Sequence, residues 1–187
     1  MSTLIVENLK GPTTGSNANK IIVPSGQTID ASAGTLVPSA GQIIQIKHAT
    51  PTSATTFSST SYTDATGFSV AITPKYTSSI IFIGIWAGAE YVNTPSVQGA
   101  QDHRLLRDST TIADRDWFNY FNRSGIPYDM YPPFVFQHYD SPSSTSSITY
   151  KLQGRKYRGS SGNASWIIND SNGGIATSTM TIMEIAQ

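Results

Sequence analysis

The sequence predicts an all-β protein, an antiparallel two-sheet jelly-roll sandwich with an extended N-terminal arm, and three observations predict it. No window places apolar residues at i, i+3, i+4 and i+7 over three turns, so helix signals are nearly absent. Short runs of β-branched and aromatic residues, about eight to ten of them, recur over residues 42–187 with turn residues at intervals of roughly ten. Residues 1–41 follow neither period: they are Ser, Gly, Ala and Thr with a sparse apolar residue every few positions.

The arm comes first. Val23-Pro24-Ser25-Gly26-Gln27-Thr28-Ile29 returns fourteen positions later as Val37-Pro38-Ser39-Ala40-Gly41-Gln42-Ile43, with one residue inserted. A lone segment of this kind cannot bury enough apolar surface to offset its conformational entropy. It is either disordered or ordered by neighbours. The return of Ile21, Val23, Ile29, Leu36, Val37, Ile43 and Ile44 favours ordering, as when several copies wind round one axis and each contributes one side chain per layer. LIVENL at 4–9 adds a short strand able to pair with another chain by edge addition.

The strands follow in order. IIQIK at 43–47 precedes a hydroxyl-rich run from Thr50 to Thr60, then FSVAITP at 68–74 and SIIFIGIW at 79–86. Ile80, Ile81, Phe82, Ile83, Ile85 and Trp86 are apolar at every step, which predicts a strand buried on both faces. HRLLRD at 103–108 and TTIADRDWF at 110–118 flank a short turn and predict a hairpin. SITYKLQGRKY at 147–157 alternates, with Ile148, Tyr150 and Leu152 on one face and Thr149, Lys151 and Gln153 on the other. ASWIIND at 164–170 and TSTMTIMEI at 177–185 are joined by Ser171-Asn172-Gly173-Gly174, so the last strand belongs to the sheet.

Composition excludes several function classes. Twelve basic and twelve acidic side chains cancel, which leaves no long-range field for nucleic acid or an anionic membrane. No apolar run reaches the eighteen residues of a membrane span, and MSTLIVENLKG lacks the basic and long apolar regions of a signal peptide. With no cysteine, disulfides, thiolate metal sites and cysteine nucleophiles are all out. His48, His103 and His138 lie far apart and have no partner at metal-ligand spacing, so no metal and no cofactor is expected.

Glycan hydrolysis would need two carboxylates about a sugar ring, one of them able to hold a proton. Asp102, Asp108, Asp114, Asp116, Asp129 and Asp140 are the candidates. The first four interleave with Arg104, Arg107 and Arg115, which reads as a salt-bridged hairpin surface or a subunit contact, and the chain is expected not to be an enzyme. DWFNYFNRSGIPYDMYPPFVFQHYD, residues 116–140, is more informative, with nine aromatics among prolines and polar groups. Its prolines predict that much of it is a loop. Trp117, Tyr120, Tyr128 and Tyr131 are its candidate ligand-binding residues, against the plainer expectation that the rings line a subunit interface or plug one end of the sandwich.

The opening MSTLIVENLKGPTTGSNANKIIVPSGQTIDASAG, then AGQIIQ, SYTDATGFSVAITPKYTSSIIFI, LLRDSTTI, YDSPSSTSSITYKLQ and TMTIMEIA, resemble in this order virion structural proteins of tailed marine bacteriophages, the tail-fibre-like knob proteins. The resemblance spans both halves of the chain, and none of these phrases is a catalytic signature. It implies an N-terminal anchor and stalk, residues 1–41, that fastens to other virion proteins and trimerises, and a jelly-roll head, residues 42–187. Leu4, Val6, Ile21, Val23, Ile29, Leu36 and Val37 would carry attachment and the trimer stalk. It implies a virion protein assembled in the host bacterial cytoplasm as a homotrimeric short fibre or knob. Two further readings stay open: a capsid cement whose arm inserts between capsomers, and an adhesin whose aromatic loop meets a host glycan or receptor.

Overall fold

The computed structural model describes residues 10–16, 18, 20–28, 37–92, 97–123, 131–157, 165–169 and 178–187; for residues 92, 97–99 and 117–123 it describes the backbone alone. The chain divides into two compact units, Met1–Val37 and Pro38–Gln187.

In the first unit Ile21, Ile22, Val23 and Val37 are exposed. The doubled phrase turns out to be a doubled turn. Gln27 donates its amide to the Pro24 carbonyl at 3.1 Å, and Gln42 donates to Ser39 at 3.1 Å. In each case the residue before the glutamine is a glycine at positive φ, 80° at Gly26 and 86° at Gly41, as a type II turn demands at its third position. The first of these turns closes in the arm and the second leads into the sandwich.

Every regular element described in the second unit is a strand. β1 (Ile43–Ala49), β2 (Thr55–Phe57), β3 (Thr63–Ile72), β4 (Ile80–Val92), β5 (Val97–Arg107), β6 (Thr110–Arg123), β7 (Pro133–Asp140), β8 (Ile148–Lys156), β9 (Ser165–Ile168) and β10 (Thr179–Ile185) all pair antiparallel. One sheet runs β1-β10-β4-β7 and the other β3-β8-β5-β6. In chain order these eight strands shuttle between the sheets as two interlocked Greek keys do, which is the jelly-roll topology. β2 and β9 are an added pair, and β9 joins the Ala89–Val92 end of β4.

The core lies between the sheets and follows the two-residue period. Ile81, Ile83 and Ile85 of β4, Phe134 and Phe136 of β7, and Met180 and Ile182 of β10 face Phe68, Val70 and Ile72 of β3, Leu105 of β5, and Ile148, Tyr150 and Leu152 of β8. At the β2–β9 end, Trp166 stacks on Phe57 with ring centroids 4.2 Å apart and donates its indole N–H to the Arg155 carbonyl at 2.8 Å.

Three expectations need correction. β4 is not buried on both faces: Ile81, Ile83 and Ile85 are buried, but Ile80, Phe82 and Gly84 are half-buried and Trp86 is exposed, because the alternate residues point away from the second sheet. The 116–140 segment is less of a loop than its prolines suggested. β6 continues to Arg123, since the first proline comes only at Pro127, and β7 starts at Pro133, an edge-strand position that tolerates a missing donor. The hydroxyl-rich run after Thr50 holds a strand, β2, that its composition concealed.

Candidate functional site

The residues left over by the core define the site. On β1, β10, β4 and β7 every second side chain points away from the interior, and register aligns them in rows. Ile43, Ile185 and Ile80 make the first row. Ile46, Met183, Phe82 and Tyr139 make the second, with the Phe82 and Tyr139 rings 5.1 Å apart. His48, Thr181, Gly84 and Gln137 make the third, and Thr179, Trp86 and Val135 the fourth.

The face is open along its length: Ile43 is 53% exposed, Ile46 54%, Trp86 43%, Val135 48% and Tyr139 65%. Scattered apolar side chains on a surface are ordinary; a contiguous sheet face of them marks a place where something docks. It also changes character along the strands: the first two rows are apolar apart from the Tyr139 hydroxyl, whereas His48, Thr181, Gln137 and Thr179 enter the third and fourth beside Trp86 and Val135.

In the third row Gly84 leaves a gap between Phe82 and Trp86. A side chain there would begin 3.1 Å from the Phe82 ring. The gap opens a depression of about 230 Å³ lined by Phe82, Gly84, Ile85, Trp86, Val135, Gln137, Thr179 and Thr181. No Asp, Glu, Lys or Arg lines it.

A buried carboxylate backs this face. Glu184 of β10 is fully buried and accepts hydrogen bonds from the Lys75 amide at 2.7 Å, the Ser79 hydroxyl at 2.6 Å and the Gln45 side-chain amide. One carboxylate thereby ties β1 and the β3–β4 connection to β10. Gly41 and Gln42 extend the ladder past β1 through bonds with Ala186.

The charged residues of the β5–β6 hairpin do something else. The Tyr62 ring lies between the Arg104 and Arg155 guanidiniums, 4.2 and 4.3 Å from its centroid. Its hydroxyl donates to Asp114 at 2.9 Å, so burial, that bond and the charge of Asp114 push its pKa up. Arg155 donates to Asp102 at 2.9 Å and reaches Asp116 at 3.4 Å. Arg107 pairs instead with Asp140 on the opposite sheet at 3.0 Å, and Tyr150 donates to the same carboxylate at 2.6 Å. Asp108 accepts the Thr149 amide at 2.9 Å. These ion pairs link the hairpin to β8 and β7 rather than its two strands to each other, and each described carboxylate that hydrolysis would need is bonded within the fold. Among the described residues no group of three His, Asp or Glu is placed to hold a metal ion.

Of the sequence-predicted ligand residues, Tyr131 is exposed and its hydroxyl donates to Glu90 at 3.3 Å. Trp117 and Tyr120 lie on β6, where the backbone alone is described, and Tyr128 lies outside the described residues, as do Leu4, Val6, Ile29 and Leu36 of the arm. Sequence reasoning missed the Trp86 depression because it read β4 as buried on both faces. The available signal was FVFQHY at 134–139, whose β-branched and aromatic residues favour a strand, which would place Val135, Gln137 and Tyr139 on one side.

Fold and site together define a jelly-roll unit with an open, largely apolar sheet face, preceded in the chain by a second compact unit. No family model matches the chain, and no curated protein matches it. Among solved structures it is similar to a chain of infectious bursal disease virus, Gt strain, at 17% identity and a TM-score of 0.32 over 88% of this chain and 43% of that one. It is similar also to that of the T=1 particles derived from infectious bursal virus, at 14% and 0.35 over 94% and 44%, and to the VP2 subviral particle of infectious bursal disease virus, at 15% and 0.33 over 94% and 46%. The chain spans less than half the length of these proteins, and at such scores the likeness adds nothing to what its own strand order shows.

Proposed function

We propose that the protein is a non-enzymatic virion structural protein, a homotrimeric short fibre or knob fastened to other virion proteins through residues 1–41 and presenting residues 42–187 as its head. The observation that carries the assembly is the pair of apolar rows, Ile43-Ile185-Ile80 and Ile46-Met183-Phe82-Tyr139, left exposed or half-exposed on a single chain. Burying such rows against copies of the chain recovers about 25 cal/mol for each Å² removed from water. The exposed Ile21, Ile22, Val23 and Val37 of the arm call for the same kind of cover. The virion setting comes from the resemblance of the sequence phrases to phage structural proteins.

Light scattering of the purified full chain at micromolar concentration tests the assembly, with a trimeric mass expected. A monomeric mass overturns it. A chain beginning at Pro38 should keep the sandwich, since its core is complete without the arm, and should no longer be recovered on phage particles. Recovery of that shortened chain on particles would remove the arm from the attachment role.

A further inference from the structure

The depression over Gly84 borders the second row, whose Phe82 forms one wall, and its other walls differ in chemistry from the first two rows. We infer that it is a binding site for a neutral saccharide, one sugar ring of a glycan chain seated on Trp86. Three observations converge. The Trp86 indole is the largest partly exposed ring in the depression, and a flat apolar face of that size takes the C–H face of a pyranose with little ordering cost. The wall carries two hydroxyls, Thr179 and Thr181, and one amide, Gln137, groups that both donate and accept and so match sugar hydroxyls of either sense. No ionised side chain lines it, which favours an uncharged ring over a sialylated or sulfated one.

Size points the same way. About 230 Å³ is below the roughly 300–1,000 Å³ of pockets that engulf drug-sized molecules, so the site holds one ring while the rest of the glycan crosses the open sheet. Gly84 lines the space, and a side chain there would crowd the Phe82 ring that forms its wall, with a Cβ 3.1 Å from a ring carbon. Single-ring contacts of this kind are weak, and several copies on one particle would act together. Phe82 belongs both to this wall and to the second row, so binding and oligomeric mass are read separately in the test.

The test uses the full chain on an array of linear oligomers of glucose, mannose, galactose and N-acetylglucosamine, with sialylated and sulfated oligosaccharides as the anionic comparison, followed by calorimetric titration of the strongest ligand. At least one neutral series should be retained. Trp86→Ala should weaken it by about tenfold or more, Trp86→Phe by less, and Thr181→Val by an intermediate factor, with melting temperature and mass unchanged. The inference fails if no neutral oligomer is retained, if the anionic glycans bind better, or if Trp86→Ala leaves binding intact. It fails also if Trp86→Ala lowers the oligomeric mass, because the fourth row would then be a contact between copies.

Discussion

Gly154 shows how tightly single positions are held at the β2–β9 end. A Cβ built on it would stand 2.4 Å from a Trp166 ring carbon and 2.9 Å from the Phe57 ring, and the Trp166 indole is itself fixed by its bond to Arg155. Gly154→Ala should therefore destabilise by about 1–3 kcal/mol through overpacking, read as a lower urea midpoint at unchanged slope. His103 is the second such position. It is buried between Phe134 and Phe136, edge-on at 4.8 and 5.4 Å, and burial, with the nearby Arg115 adding to it against a smaller opposing effect of Asp116, lowers its pKa from 6.5 to about 4. Below pH 6.5 the unfolded chain takes up a proton at His103 that the native core refuses. The stability it contributes is thus complete above 6.5 and falls through the window down to about pH 4, by about 3 kcal/mol in all. His103→Leu removes this slope, so denaturation of both proteins at pH 7 and pH 4 should show the stability gap shift by that amount in favour of the variant. No shift would mean that His103 is already solvated in the native state.

At the scale of elements, Glu184 holds together three segments that the topology brings side by side. Its oxygens face the Lys75 amide, the Ser79 hydroxyl and the Gln45 amide, all donors. Glu184→Gln keeps the shape but turns a donor toward donors, which should cost about 1–3 kcal/mol, seen in chemical denaturation at neutral pH. A neutral outcome would mean that the amide turns its oxygen inward and satisfies the cluster unaided. The sequence makes the strands themselves legible wherever one face meets the core and the other meets water, as in β8, where Ile148, Tyr150 and Leu152 alternate with Thr149, Lys151 and Gln153. It misleads where a strand is apolar throughout. β4 reads as doubly buried because hydrophobicity records what a residue is destined to touch, and one isolated chain supplies that contact on the core side alone. β7 was hidden for another reason: Pro132 and Pro133 precede FVFQHYD, in which Phe134, Val135 and Phe136 are all apolar, so the alternation of its burial does not show in the sequence. The Trp86 depression is a product of both misreadings, since it forms only where β4, β7 and β10 lie side by side.

At the scale of the whole molecule, two kinds of evidence meet in one expectation about assembly. The doubled Val-Pro-Ser phrase builds the same glycine turn twice, once at Gly26 and once at Gly41, and the second delivers the chain to Ile43, where the first aliphatic row begins. Under the proposed assembly, an apolar β4 that one chain leaves half uncovered has a physical reason: its outer cover is another copy of the chain. Charges placed in these rows separate assembly from folding. Ile43 and Ile46 lie on β1, an edge strand, with their side chains in water in the single chain, so Ile43→Glu with Ile46→Glu removes nothing from the core between the sheets. In an assembled trimer the same two substitutions bury unpaired carboxylates at the interface, each costing several kcal/mol. The double variant should keep the β-rich circular dichroism and a melting transition while its mass by light scattering drops from trimer to monomer, with neutral-glycan retention at Trp86 surviving at reduced avidity. Should the variant remain trimeric, the aliphatic rows are not the contact between copies, and trimerisation would have to rest on the arm alone.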